Sequence, residues 1–253
     1  MPYRHAHWFV LVLLVPAIAM AFWRDYFGVI GSAPLAFHAH GLTASAWILL
    51  VALQSWSAHH RRFALHRASG RAVLFVVPLF AAGAALVLHS MALKFSGGHP
   101  FYGIFGARLG LHDIISTVVL VGMVRAALLN RKRVARHAAY MLGTTLLVLP
   151  PILARLPIPA PPALHLGEML SIVIAALLWL GHRREGRAFA VVIATMALEI
   201  VAFESVGASA LWADWFARIG TLPVAPLSLG ALALAAIALW SAWNPWAAKA
   251  RAG

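Results

Sequence analysis

Thirteen histidines set against only seven acidic residues, with no cysteine, define the chemistry open to this chain of 253 residues. Imidazoles and carboxylates can ligate a transition metal, hold a haem iron or pass protons. Without thiols there is no disulfide, no iron–sulfur cluster and no thiolate metal site. Spacing then sorts the histidines. His38 and His40 open a long apolar stretch, Phe37–Ala58, and His59, His60 and His66 follow it. His40, Trp47 and Gln54 recur every seven residues, which puts them on one helical face as a polar stripe directed at other helices. Arg108 precedes His112 by four residues and shares its face, and Asp113 follows directly. Glu199 and Glu204 stand within another apolar run.

Three chemistries fit these residues. A metal centre would draw on His38, His40, His89, His112, Asp113 and Glu199, because neutral imidazoles with carboxylates suit zinc, copper or iron. A single haem b would take its axial ligands from His40, His89 and His112. A transmembrane pair of haems is excluded, since the positions fourteen residues from His40, His112 and His89 are Gln54, Ala126 and Phe75. A proton or ion relay would run through His112, Asp113 and Glu199. Gln54, Arg108, Arg155 and Glu204 would complete a polar pocket in each case. A structural role competes with all three, with His112 and Asp113 pairing to Arg108 or Arg155 to tie helices together in a non-enzymatic scaffold. His59, His60, His66, His137 and His182 lie beside arginines and read as interfacial residues, and His99 as a loop histidine.

The elements that must position these groups follow from composition. The chain is 62% hydrophobic and 11% charged, against about 25% charged residues in soluble domains. Its mean hydropathy is +0.85. These values imply an all-α, polytopic membrane helix bundle of about eight transmembrane helices forming one domain. The apolar runs are Trp8–Trp23, Phe37–Ala58, Ala72–Phe95, Ile104–Leu128, Ala138–Ala154, Glu168–Leu180, Phe189–Gly207 and Val224–Trp243. The first, with Arg4, His5 and His7 before it, could be a signal peptide, but Trp23-Arg24-Asp25-Tyr26 favours a retained span. The sixth is short unless Leu164–Gly167 belong to it. Pro150-Pro151 must break or kink the fifth.

Net charge is +13, but the basic residues sit in short runs between apolar segments, which points to membrane orientation and excludes nucleic acid as the partner. With a cytoplasmic N-terminus, fifteen of the twenty basic residues fall on the inner side, Lys249 and Arg251 among them. Arg24, Lys94, Arg108, Arg155 and Arg218 stay outside. Both termini are then cytoplasmic, the inner face contacts the lipid bilayer through anionic head groups, and His40, His89, His112, Asp113 and Glu199 share the outer half. His66-Arg67-Ala68-Ser69-Gly70-Arg71 and His182-Arg183-Arg184-Glu185-Gly186-Arg187 both read H-R-x-x-G-R, as a duplicated four-helix unit would, but inner loops are rich in Arg, Gly and His anyway and the rest of the two halves does not align in one register.

Two blocks carry a family resemblance. The first holds His38, His40, Gly41, Trp47, Gln54, Arg61, Arg62, Leu65, His66, Arg67, Gly70 and Arg71. The second is Arg136–Pro157, with His137, Met141, Leu142, Thr145, Pro150, Pro151 and Arg155. They resemble a group of uncharacterised bacterial polytopic membrane proteins across spans two to five. More distantly, they are similar to predicted membrane proteins likened to cytochrome b561. The resemblance implies a bacterial inner-membrane location and marks His40, Gln54, His66, Arg67, His137 and Arg155. Its second part leans toward haem, against the missing fourteen-residue pairs. Redox or electron transfer at a metal or haem therefore stands first among the expectations, and a proton-coupled transporter or carrier second.

Overall fold

The computed structural model describes residues 3–156 and 164–243; Pro157, Lys249 and Arg251 lie outside the described residues. Among the described residues all regular structure is helical. Long apolar runs fold this way because a helix satisfies every backbone polar group within the segment itself. A first rod joins α1 (Ala6–Trp8), a π-helical turn over Phe9–Leu14 and α2 (Val15–Ala21). The chain continues through α3 (Leu35–His59), α4 (Phe63–Gly70), α5 (Val73–Ser96), α6 (Tyr102–Leu129), α7 (Val134–Leu146) and α8 (Leu149–Leu153). It ends with α9 (Leu166–Gly181), α10 (Arg187–Glu204), α11 (Ala210–Ile219) and α12 (Val224–Trp243).

Helices α5 and α6 form the centre. α5 packs against α3, α6 and α12, while α6 also meets α7 and α10, and α9 pairs with α10. One core cluster runs through most helices and includes Trp47, Val77, Met123, Leu146, Phe189 and Met196. Val10 and Leu14 belong to it, so the first apolar run packs as a member of the bundle. Large apolar side chains also point outward all round: Leu42, Leu79, Ile104, Val118, Leu177, Val201 and Leu234 are exposed. An apolar surface of that extent fits hydrocarbon, not water.

Five helices are long and apolar enough to cross a membrane: Leu35–His59, Phe63–Ser96, Tyr102–Leu129, Arg187–Ala208 and Val224–Trp243. The expected eight runs are thus all helical, but three do not reach that length unbroken. Ala6–Ala21 and Leu166–Gly181 belong to the class of 10–17 residues. At about 1.5 Å per residue they reach at most about 26 Å, short of a hydrocarbon core of roughly 30 Å. The fifth run is divided at Pro150-Pro151: α7 stops at Leu146 and α8 begins at Leu149. Proline offers no amide hydrogen to the carbonyl four residues back, and the freed Leu146 carbonyl instead accepts the Ser171 hydroxyl at 2.9 Å.

Two short helices have no counterpart in the apolar runs. α4 follows α3 after a turn, and α11 follows α10, its first turn capped where Ser209 Oγ accepts from Trp212 N. The two H-R-x-x-G-R stretches adopt different structures, which removes the argument for duplication. The first is the body of α4, whereas the second forms the turn between α9 and α10.

Charge divides the bundle. Six of the seven acids (Asp25, Asp113, Glu168, Glu199, Glu204 and Asp214) lie toward the end that carries the α5–α6 and α10–α11 turns, hereafter the carboxylate end. Glu185 alone lies at the opposite, arginine-rich end.

Candidate functional site

α6 and α10 run antiparallel, so residues descending α6 from the carboxylate end meet residues ascending α10 to it. Arg108 Nη1 lies 3.3 Å from Glu204 Oε2. One turn deeper, His112 Nε2 lies 3.3 Å from Glu199 Oε2. Another turn on, Ser116 Oγ donates to Glu199 Oε1 at 2.6 Å. The expected common face of Arg108 and His112 is therefore formed, and it faces the two glutamates of α10.

α9 supplies the third wall. Its first turn is pressed against α8, where a Cβ on Gly167 would lie 2.2 Å from Pro150 Cα, so only glycine permits that approach. This contact fixes Glu168, whose Oε1 lies 3.6 Å from His112 Nε2. Just before the helix, His165 Nδ1 lies 3.7 Å from the same Glu168 oxygen. The His165 Nε2 atom lies 3.0 Å from Glu204 Oε1. Asp113 Oδ1 stands 3.8 Å from His112 Nδ1.

These pairs form one continuous chain, from Arg108 and Glu204 through His165 and Glu168 to His112, Glu199 and Ser116. Side-chain exposure is 50% at Glu204 and 19% at His165, but 8% or less at Glu168, His112 and Glu199. The chain thus leads from the surface to the inside of the bundle. Four of its inner atoms are buried without a hydrogen-bond partner: His165 Nδ1, Glu168 Oε2, His112 Nε2 and Glu199 Oε2. Unsatisfied buried polar atoms are costly, so a cluster of them marks a place kept for a task. Beyond Ser116 the acid and base groups give way to packed side chains, and the buried hydroxyls there, Thr144, Thr145 and Thr195, donate to backbone carbonyls of their own helices. Leu120, Met123 and Val124 of α6, Met196, Val192 and Phe189 of α10 and Leu146 of α7 close the interior with packed apolar side chains.

The remaining expected residues are engaged elsewhere. His38 Nδ1 is 3.1 Å from the Tyr26 hydroxyl. His89 Nε2 donates to the Leu222 carbonyl at 3.1 Å, which ties α5 to the α11–α12 turn and occupies the nitrogen a haem iron would need. His40 stacks near Phe80 with ring centroids 5.1 Å apart. It lies at a close crossing of α3 and α5, where a Cβ on Gly83 would come within 2.9 Å of His40 Cα. Its Nδ1 has no hydrogen-bond partner, and Asp113 and Arg155 are charges acting on it. Arg155 stacks over Phe22 and donates to the Pro151 carbonyl.

The six-residue metal set of His38, His40, His89, His112, Asp113 and Glu199 is therefore not assembled. Among the described residues no group of three or more histidines and acids is arranged to hold a metal ion. Of the three haem candidates, His89 gives its Nε2 to the Leu222 carbonyl and His112 turns its Nε2 to Glu168 and Glu199. The structure brings His112, Asp113, Glu199, Arg108 and Glu204 together, and adds Glu168, His165 and Ser116. Signals for the additions existed in the sequence: Ser116 follows His112 by four residues, and His165 precedes Glu168 by three.

At the arginine end, His66 Nδ1 is 3.2 Å from the Gln54 carbonyl, and the Gln54 amide donates to Ser69 Oγ at 2.6 Å. His137 Nδ1 donates to the Ala127 carbonyl at 2.9 Å. Gln54, His66 and Gly70 thus hold helices together, while Arg67 and Arg71 remain outside these contacts. Compared with known protein families, with curated proteins and with solved structures, the chain finds no match.

Proposed function

We propose that this protein is an integral protein of the bacterial inner membrane whose outer half holds a proton-exchanging site, and that the site belongs to a proton-coupled carrier. The single observation that carries this reading is the unbroken chain of acid and base side chains from Glu204 to Glu199, narrowing from exposed to fully buried. Neighbouring members lie 3.0–3.7 Å apart, within reach for proton transfer after small side-chain rotations. Ionisable groups at bundle depth are expensive and are kept for pathways of this kind.

In this reading protons arrive at Glu204 and His165 from the outer solution. His165 hands them to Glu168, and His112 distributes them between Glu168 and Glu199. Asp113 at Nδ1 orients the imidazole so that Nε2 faces both glutamates. Ser116 holds one oxygen of Glu199 and leaves the other directed at His112. The apolar floor of Leu120, Met123, Met196 and Phe189 fills the way toward Arg125, where a carrier is expected to have a water-filled path, so this reading requires a second arrangement in which the floor opens. The proposed orientation puts the arginine end in the cytoplasm, by the excess of inner arginines. The broken α7–α8 segment then lies largely inside the membrane domain, and the short α9 completes it with an apolar face, Met169, Val173 and Leu177, turned outward.

The test is infrared difference spectroscopy on the full chain in sealed vesicles while the external pH is changed. A buried carboxylic acid band should appear and vanish with external pH, and Glu199→Gln should remove it. A spectrum without such a band, or with the same band in Glu199→Gln, would refute the assignment.

A further inference from the structure

Helix α4 is built inside out relative to a helix on a water-soluble protein. Its polar side faces the bundle: His66, Ser69 and Gly70 are half-buried and meet Gln54 of α3. Its other residues, Phe63, Ala64, Leu65, Arg67 and Ala68, are all exposed. At 3.6 residues per turn, Ala64, Ala68 and Arg67 lie on the arc opposite His66 and Ser69, and Phe63 and Leu65 flank it on its two sides. Phe63 and Leu65 are 44% and 40% exposed, too much for side chains packed on a neighbour.

Arginines share and flank this arc: Arg61 and Arg62 before the helix, Arg67 on the arc itself and Arg71 directly after the helix. The chain reaches them through Arg61 with a positive φ of 57°, an uncommon backbone state for a side-chain-bearing residue, which turns the double arginine out of α3. Arg62 lies over the Trp56 ring at 6.0 Å. Among the described residues no carboxylate pairs with these four arginines, and Glu185, the one acid at this end, is held by Arg136 at 3.3 Å. The outward surface of α4 therefore mixes apolar side chains with arginines that no carboxylate among the described residues compensates.

We propose that α4 is an interfacial helix that lies in the headgroup layer of an anionic phospholipid leaflet. Phe63, Ala64, Leu65 and Ala68 enter the acyl boundary, and Arg61, Arg62, Arg67 and Arg71 meet headgroup phosphates. A second copy of the chain is the other occupant to consider. An eight-residue helix is about 12 Å long, too small to supply the roughly 800 Å² per partner of a stable dimer. Its four arginines would also face their own copies across a symmetric contact. Anionic lipid answers both the apolar side chains and the charge. This inference is independent of the proton-exchange reading and concerns the opposite end of the molecule.

The chain has no cysteine, so Leu65→Cys gives one labelling site for an environment-sensitive fluorophore in the full-length protein. The protein is reconstituted into phosphatidylcholine vesicles containing a minor share of phosphatidylglycerol, with brominated chains on one lipid or the other. Brominated phosphatidylglycerol should quench the label more than an equal amount of brominated phosphatidylcholine. Arg61→Gln, Arg62→Gln and Arg67→Gln together should bring the two to parity, with up to about fivefold lost per arginine. The wild-type arginines stay in the labelled parent, so its depth reading does not depend on how the triple variant folds. Quenching by aqueous iodide with none from either lipid would overturn the proposal. So would equal quenching by the two lipids in the parent, or quenching that follows protein density instead of lipid composition.

Discussion

His112→Ala separates the acid–base chain from a merely decorative cluster, because its cost can be worked from the geometry. His112 Nε2 stands between Glu199 Oε2 at 3.3 Å and Glu168 Oε1 at 3.6 Å, and both glutamates are almost fully buried. Opposite unit charges at 3.3 Å attract by about 5 kcal/mol at an effective dielectric constant of about 20. Removing one partner of a buried pair costs about 3–5 kcal/mol, since the other is left without compensation. His112→Ala should therefore lower stability by about 3–5 kcal/mol. Glu199→Gln should cost less, about 1–3 kcal/mol, because the amide oxygen still accepts from Ser116 and Glu168 remains as a carboxylate 3.6 Å from Nε2. The double variant should then recover part of the loss, with a coupling of about 2 kcal/mol between the two positions. Equilibrium unfolding in mixed detergent micelles measures all four proteins of the cycle. If the two single changes add to within about 0.5 kcal/mol, the pair is not coupled and the reasoning fails.

Gly167→Ala must push α9 away from α8, because the new methyl meets backbone, not a side chain; a loss of about 1–3 kcal/mol is expected in the same assay. The same variant should weaken the external-pH infrared band, since Glu168 moves with the helix. Ser116→Ala should cost about 1.5–3 kcal/mol, the worth of a hydrogen bond to a charged group, and should shift the frequency of the Glu199 carboxyl band without removing it. Gln54→Ala should loosen α4 from α3, and trypsin should then cut at Arg61 or Arg62 in detergent sooner than in the wild type.

A fifth prediction concerns pH. Burial first, and Glu185 second, raise the Tyr3 phenol from 10.0 to about 12. A pKa higher in the folded than in the unfolded chain gives stability that is complete below about pH 10 and is lost as pH rises toward 12. The contact of Tyr3 with His182 and Phe189 should open over that window, read as a tyrosinate absorbance step missing from Tyr3→Phe.

Much of this architecture was written in the hydropathy. The long apolar runs became helices near their expected limits, and Pro150-Pro151 divides the fifth because proline cannot donate to the preceding turn. Short helices were not legible. α4 is only eight residues of mixed character, FALHRASG, and it is defined by the Gln54 contacts that bring it back onto α3. α11 depends on Phe216 and Trp212 reaching α6, a long-range event that no local pattern encodes. In the site, His112, Asp113 and Glu199 stood out because charge inside an apolar run is rare. Glu168 and His165 stood out less, at the start of a weak span, and only the Gly167–Pro150 contact carries them inward. His89 was misleading for the opposite reason. Its depth along α5 suggested a ligand, but the α11–α12 turn supplies a backbone carbonyl there.

The packed floor beneath Ser116 bears on electricity as well as on access. In a bilayer the transmembrane field concentrates where the medium is least polarisable, and here that is the layer of Leu120, Met123, Met196 and Phe189. In the proposed orientation the polar chain above it would sit near the potential of the outer solution. Loading Glu199 should then be nearly blind to voltage, and any later passage through the floor should carry almost the full dependence, about 2.3 kcal/mol per charge for each 100 mV.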